Sequence, residues 1–118
     1  MSAAVELSGA HVKYLTAIYE VSCAERTVSC AEVARRLGVS RPSVTRMLDV
    51  LNEKGMTTKV RYGKIALTQE GLRVAKHVEE RTAHIAQLLR TELHLSYSES
   101  MSAANAVAAT LPGRVLPG

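Results

Sequence analysis

The stretch SCAEVARRLGVSRPSVTRMLDVLNEKG, residues 29–55, decides the fold. The hydroxyl of Ser29 can accept the amide three residues later, where a glutamate completes a capping box and starts a helix. Gly38 supplies the left-handed residue that ends such a helix. Ser40 then starts a second helix, with Pro42 in the first turn, where a missing N–H is tolerated. The stretch therefore predicts two helices joined by a tight turn.

The second of these helices, predicted over residues 40–52, has two different sides. Apolar residues recur at helical spacing on one side: Val44, Met47, Leu48 and Leu51. Small, polar and basic residues occupy the other side: Pro42, Thr45, Arg46, Asp49 and Glu53. A short helix, a tight turn and a second helix with a small, basic outer side are typical of a helix-turn-helix unit.

Residues 57–67 change from helical spacing to a β-rich pattern. A turn between two short strands is predicted at Tyr62-Gly63-Lys64. Three side chains of this hairpin are cationic: Lys59, Arg61 and Lys64. A hairpin directly after a helix-turn-helix unit is called a wing. The predicted fold is therefore mainly α with a small β-hairpin, a winged helix-turn-helix.

Helical spacing also flanks this unit. A first helix is predicted from about Ala10 to Ala24, with an apolar face of Val12, Leu15, Ile18, Tyr19 and Val21 or Ser22. A long helix capped by Thr68 is predicted to run to about Arg90, with a stripe of Leu72, Ala75, Val78, Thr82, Ile85 and Leu89. A short last helix is predicted from Ser96 or Ser98 to before Pro112, with a face of Met101, Ala104, Val107, Ala108 and Leu111.

The long helix is too long to bury its whole stripe on a domain of this size. We predict that its far half contacts a second copy of the chain or the last helix, and a homodimer is our hypothesis. The predicted organisation is a DNA-binding domain over residues 1–68 and a helical dimerisation region over residues 69–118, continuous with the first.

Positive charge is concentrated in one region of the chain. Nine Lys and Arg residues stand against three acidic residues between Arg26 and Lys64, whereas the rest of the chain has six against eight. Such clustering favours a polyanion, and nucleic acid before a membrane. The four tyrosines are the only aromatic residues. So few aromatic residues argue against a stacking platform for single strands.

Other classes of protein find no support in the sequence. There is no P-loop, GxSxG, HExxH or dinucleotide-binding motif, so we predict neither an enzyme nor a small-molecule substrate. The N-terminal residues do not resemble a signal peptide and no segment reaches the length of a membrane span, which predicts a cytoplasmic protein without a membrane partner. A winged-helix module that binds protein rather than DNA remains an alternative.

Six blocks of the sequence resemble one family. They are YLTAIYE (14–20), AEVARRLGVS (31–40), PSVT (42–45), LxEKG (51–55), RYG (61–63) and LTxEG (67–71). Together they resemble the iron-dependent, or diphtheria-toxin, repressor family, which includes the manganese transport regulators. The resemblance covers about residues 12–78. It implies a dimeric transcriptional regulator, usually a repressor activated by a divalent metal such as manganese or iron.

The positions that hold metal in that family carry other residues here. The resemblance places them at Lys13, Thr16, Thr82, Asn105, Ala108 and Ala109. Alanine has no ligand atom and lysine is protonated at neutral pH, so we expect the family's metal site to be absent. We therefore assign no cofactor from the residues, and a divalent metal is implied by the resemblance alone. A displaced site at His77, Glu80 and His84 is an alternative, against the simpler reading of solvated polar residues on one helix face.

The two cysteines, Cys23 and Cys30, match neither a disulfide framework nor a zinc pair. Cys30 is predicted at the first position of a helix, where the helix dipole favours the thiolate. If Cys23 lies nearby, the two could form a redox switch. The alternative is a pair of partly buried thiols in a reducing compartment.

The predicted site is a surface for duplex DNA. The N-terminal end of the second helix would enter the major groove, the wing would hold adjacent phosphates and two arginines of the first helix would fix the register. These residues are Arg35, Arg36, Ser40, Arg41, Pro42, Ser43, Thr45, Arg46, Lys59, Arg61, Tyr62 and Lys64.

Overall fold

The computed structural model describes residues 7–24, 28–58 and 63–110. In these ranges the helices are α1 (Gly9–Ala24), α2 (Cys30–Leu37), α3 (Arg41–Glu53), α4 (Gln69–Leu93) and α5 (Tyr97–Thr110), and the strands are β1 (Val28–Ser29) and β2 (Lys64–Ile65). This mainly helical architecture with a small β element confirms the predicted fold class. α3 ends one residue later than predicted.

Local capping forms the two helices of the helix-turn-helix unit as predicted. The Ser29 hydroxyl accepts a hydrogen bond from the Glu32 amide at 3.2 Å, and Gly38, at φ +68°, ends α2. The Ser40 hydroxyl accepts from the Ser43 amide at 3.2 Å and starts α3. Three residues separate the helices, and α2 packs directly against α3.

The small sheet contains a strand, β1, that the sequence does not predict. β2 pairs antiparallel with β1, and Ser29 lies opposite Lys64 in the register. The two residues of β1, just before α2, are too few to show alternating spacing. The predicted chain reversal over residues 57–67 is present as an antiparallel bridge between Thr57 and Leu67. Residues 59–62, which the sequence predicts to be part of that hairpin, lie outside the described residues.

A single hydrophobic core joins α1, α2, α3, β2 and the first half of α4. The large, fully buried side chains are Leu15, Ile18, Val33, Val44, Leu48, Leu51, Met56 and Val74. Three of the four α3 residues predicted to face inward are fully buried, and Met47 is half-buried. The core crosses residue 68 without interruption, so α4 is anchored to the helix-turn-helix unit.

The buried stripe of α4 differs from the prediction at its start. Leu72, predicted to face inward, is 41% exposed, whereas Gly71 and Val74 are buried. The cause is a close approach of backbones, because Gly71 faces the carbonyl group of Met56 and turns Leu72 outward. Ala75, Val78 and Thr82 are buried as predicted, and Ile85 and Leu89 are half-buried.

α5 folds back along the far half of α4. Its start is a complete capping box: the Glu99 amide donates to the Ser96 hydroxyl at 3.1 Å, and the Ser96 amide donates to Glu99 Oε1 at 3.0 Å. Ser100 and Ala104 are buried, whereas Val107, predicted to face inward, is 40% exposed. None of the helices in the described ranges is long and apolar enough to cross a membrane.

Candidate nucleic-acid interface

The outer side of α3 presents the residues predicted to contact DNA. Arg41, Pro42, Thr45 and Arg46 are exposed, and Ser43 is half-buried. The opposite side of the same helix lies in the core. The orientation of the outer side is therefore fixed by packing and does not depend on a partner.

A short chain of hydroxyl groups orients one of these arginines. Ser40 Oγ and Ser43 Oγ are hydrogen bonded at 2.8 Å, and Arg46 Nη2 donates to Ser43 Oγ at 3.3 Å. The two ion pairs found within the described ranges lie elsewhere, so no carboxylate in these ranges neutralises Arg41 or Arg46. Both guanidinium groups are available to an anionic partner.

The two arginines of α2 differ in their surroundings. Arg35 is exposed near the C-terminal end of the helix. Arg36 forms an ion pair with Glu20 of α1, in which Nη2 and Nε donate to Oε1 at 2.8 and 3.1 Å. The sequence predicts Arg36 on the DNA surface and gives no sign of its Glu20 partner, because α1 and α2 come together only in the folded chain.

The described part of the wing contributes one cation. Lys64 is exposed in β2, where its strand pairs with β1 just before α2. The Thr58 amide donates to the Ala66 carbonyl at 2.9 Å, which holds the base of the hairpin together. The other wing residues of the prediction lie outside the described residues: Lys59, Arg61 and Tyr62.

The side chain of Asn52 joins the end of α3 to the wing, a role that the sequence does not predict. With its amide nitrogen facing the wing, Asn52 donates to the carbonyls of Thr57 and Thr58 at 3.0 Å and also contacts the Thr57 hydroxyl. Thr57 is only 4% exposed. An asparagine near a helix end was the available signal, but its partners depend on how the following turn folds.

The start of α4 is fastened to the same junction. Thr68 donates through its hydroxyl to the Gly55 carbonyl at 2.6 Å, and its amide donates to the Met56 carbonyl at 3.0 Å. The Thr68 hydroxyl also accepts the Gly71 amide at 2.9 Å as the cap of α4. One threonine therefore ties the exit of α3 to α4 and sets the base of the wing.

Behind the helix-turn-helix unit lies a cavity of about 430 Å³ between α1, α2, α4 and α5. Four of the positions that the family resemblance associates with metal line this one cavity: Lys13, Thr16, Thr82 and Asn105. The Arg36–Glu20 ion pair and Glu79 of α4 also line it. Burial and a hydrogen bond to the Glu20 carboxyl raise the pKa of Glu79 to about 7, although Arg36 acts in the opposite direction.

The other candidate residues are not assembled into a site. No group of three or more His, Cys, Asp or Glu side chains that could hold a metal exists in the described ranges, so His77, Glu80 and His84 do not form one. Glu80 and His84 are exposed on α4. Cys23 is exposed and Cys30 half-buried, and both are free thiols. The redox switch stays a prediction.

A capped helix, a tight turn, a core-anchored second helix and a following β-hairpin define a winged helix-turn-helix domain. The sequence profile described as the iron-dependent repressor, N-terminal DNA binding domain, matches residues 6–65, just over half of the chain. The chain belongs to the iron-dependent repressor family. No curated protein matches the chain significantly.

Solved structures show the same fold over most of the chain. The IdeR structure from T. acidophilum is 26% identical with a TM-score of 0.71, over 88% of this chain and 49% of that one. The manganese regulator SloR is 24% identical with a TM-score of 0.72, over 89% and 49%. The hypothetical protein SSo2273 from Sulfolobus solfataricus is 20% identical with a TM-score of 0.65, over 90% and 81%. The chain thus spans about half the length of the two named regulators.

The cavity lining does not fit the divalent metal that the family resemblance implies. In the described ranges it contains no His, Cys or Met, and its two carboxyl groups belong to Glu20 and Glu79. Glu20 is engaged by Arg36, and Glu79 holds a proton up to about pH 7. A metal ligand must be deprotonated, and the ammonium group of Lys13 would repel a cation. We derive no metal-dependent step from this site.

Proposed function

We propose that the chain is a sequence-specific transcriptional regulator that binds double-stranded DNA, and that it acts as a homodimeric repressor. The observation that carries this proposal is the outer side of α3, where Arg41 and Arg46 are exposed and have no carboxylate partner in the described ranges. The family match to a DNA-binding domain covers this helix.

In the proposed complex the N-terminal half of α3 lies in the major groove. A guanidinium group can donate two hydrogen bonds to O6 and N7 of guanine, and Arg46, oriented by Ser43, is the residue we assign to this role. The ring of Pro42 suits contact with a thymine methyl group. Arg41 stands at the start of the helix and would contact guanine or phosphate.

Contacts to phosphates would set the register of the complex without reading sequence. Lys64 in β2 and Arg35 on α2 are the exposed cations we assign to these phosphate contacts, together with Lys59, Arg61 and Tyr62 of the predicted wing. Arg36 would act mainly through its ion pair with Glu20, which fixes α2 against α1.

The homodimer is proposed from the apolar residues left exposed around the far end of α4. Leu88 is 49% exposed, Leu93 is 61% exposed and Tyr97 at the start of α5 is 65% exposed. Burial of such side chains in a second copy would remove apolar surface from water. A two-fold dimer would read two half-sites about 34 Å apart, or a multiple of that spacing, so we expect a palindromic operator. Repression would follow because the bound dimer blocks the promoter.

The proposal is tested by selecting bound duplexes from a random pool, with manganese and, in parallel, with a chelator. We expect a palindromic sequence to be enriched in both arms. Arg46→Ala should fail to enrich the same sequence, while Arg73→Ala, which removes an exposed arginine of α4, should enrich it. Enrichment of no sequence in either arm would contradict the proposal and favour a protein-binding module.

A further inference from the structure

We propose that the cavity between α1, α2, α4 and α5 binds a small organic acid through its carboxylate, with Lys13 as the counter-ion. Its volume of about 430 Å³ lies within the range of small-molecule sites. The inference does not rest on the proposed DNA binding, because the cavity lies behind the helix-turn-helix unit and its ligand can be tested without DNA.

The charges in the lining favour one negative charge in the ligand. Arg36 and Glu20 neutralise each other in their ion pair, in which Nη2 and Oε1 are 2.8 Å apart. Burial and a hydrogen bond with the Glu20 carboxyl raise the pKa of Glu79 to about 7, so Glu79 keeps its proton below that pH and adds no negative charge there. Lys13 is then left as the cation of the lining that has no ion pair with any described residue.

Neutral polar groups and apolar walls complete the match to an organic acid. Thr82 and Asn105 place a hydroxyl and an amide in the lining, and both groups can donate hydrogen bonds to a carboxylate. Val12, Ala17 and Val78 form an apolar part of the cavity wall, which suits the hydrocarbon part of an organic acid. A dianion such as phosphate fits less well, because Glu20 and Glu79 would repel a second negative charge.

The cavity also reaches the DNA-binding unit. Arg36 and Leu37 of α2 belong to its lining, beside residues of α1, α4 and α5. A bound acid would therefore contact the helix that carries the tight turn as well as the helices behind it. Occupancy of the cavity can change how α2 and α3 are held, which would make the acid an effector of the protein.

The test measures binding of benzoate, acetate and, as dianions, succinate and inorganic phosphate to the full chain by calorimetry and by the shift in Tm. Benzamide is the uncharged match to benzoate, and manganese is added as a competitor. We expect benzoate to bind and raise Tm, and benzamide not to. Lys13→Met should weaken benzoate binding about tenfold or more, because a charge-assisted hydrogen bond is lost. Lys13→Arg should retain it, and Lys76→Met, on an exposed part of α4, should match the wild type.

Protonation gives an independent signature. Benzoate should bind more tightly at about pH 6 than at about pH 8, because ionisation of Glu79 near pH 7 adds a negative charge to the lining. The groups that act on Glu79 are Glu20 of α1 and Arg36 of α2, and the charge of Glu79 in turn acts on Tyr19 of α1. Lys13 of α1 and the neutral Asn105 of α5 line the same cavity. Glu79→Gln should remove this pH dependence.

Four outcomes would overturn the proposal. Benzamide binding as well as benzoate would show apolar filling without a carboxylate site. Unchanged benzoate binding in Lys13→Met would place the ligand elsewhere. Displacement of benzoate by manganese, or tighter binding of inorganic phosphate, would assign the cavity to a different ligand. No binding of any of the three acids at millimolar concentration would show that the cavity takes no small acid.

Discussion

Gly71 faces the carbonyl oxygen of Met56 so closely that a Cβ atom on the glycine would lie 1.9 Å from that oxygen. The carbonyl belongs to the junction between α3 and the wing, and it also accepts the amide of Thr68. The relationship therefore fixes where the long helix begins relative to the proposed DNA-reading helix. A side chain at position 71 would have to push the two backbones apart.

Gly71→Ala should destabilise the protein by about 1–3 kcal/mol, because a methyl group there overpacks against backbone that cannot move aside as a side chain would. At an exposed position inside a helix, the same exchange of glycine for alanine would stabilise the protein by up to about 1 kcal/mol. Urea denaturation measures the difference. Ala83→Gly, on an exposed part of α4, is the reference for helix propensity and should cost about 1 kcal/mol. A stabilised Gly71→Ala variant would contradict the close approach.

Glu79→Gln should change how stability depends on pH. The pKa of Glu79 is raised from 4.5 to about 7 in the folded chain, so the folded state holds a proton that the unfolded state has lost. The free energy of unfolding should therefore fall as the pH rises from about 4.5 to about 7, and then level off. The free energy of unfolding of Glu79→Gln should depend less on pH over this interval, and above about pH 7 it should exceed that of the wild type.

Urea midpoints at several pH values between these limits measure this effect. Glu80→Gln is the matched control, because the neighbouring side chain is exposed and does not line the cavity. It should retain the slope of the wild type. Equal slopes in the wild type and Glu79→Gln would show that folding does not raise the pKa of Glu79.

Lys64→Ala should weaken binding to all duplexes alike and make the dependence of log Kd on log salt shallower by about 1, because one phosphate contact is lost. Lys76→Ala removes the same charge from an exposed part of α4 that is not assigned to the interface, and it should leave the slope unchanged. Fluorescence anisotropy over a salt series compares the two. Equal slopes in both variants would remove Lys64 from the interface.

Leu93→Glu should convert the proposed dimer into a monomer. The leucine is 61% exposed at the end of α4, and a charge in an apolar contact between copies is costly. Leu72→Glu, at a leucine 41% exposed near the start of α4, should leave the dimer intact. Sedimentation at micromolar concentration distinguishes the species. A wild-type particle of 12.8 kDa, rather than twice that mass, would rule the dimer out.

The features that the sequence predicted are those whose cause is local. A hydroxyl three residues before the amide it accepts sets the start of α2 at Ser29 and of α3 at Ser40. Gly38 ends α2 through its own left-handed backbone conformation, which requires no contact with a distant residue. These local signals also placed Arg41 and Arg46 on the outer side of α3, since helical periodicity separates the two sides.

The features that the sequence did not predict depend on contacts between distant residues. Glu20 and Arg36 are sixteen positions apart and meet only when α1 packs on α2. β1 is recognisable only through its pairing with β2. The outward turn of Leu72 follows from the backbone contact at Gly71, which no periodic pattern reveals. Lys13, Thr16, Thr82 and Asn105 also meet only in the folded chain, and it is the family resemblance, not local spacing, that groups these four positions.

The central claim is that the surface formed by α3 and the wing binds duplex DNA and reads its sequence. The most direct measurement is the Kd of the wild type and of Arg46→Ala for the selected duplex and for a random duplex, over a salt series. The wild type should prefer the selected duplex, and its Kd should rise steeply with salt. Arg46→Ala should lose about 1–3 kcal/mol of binding to the selected duplex and much of the preference. Binding without salt dependence, or equal preference in both proteins, would contradict the claim.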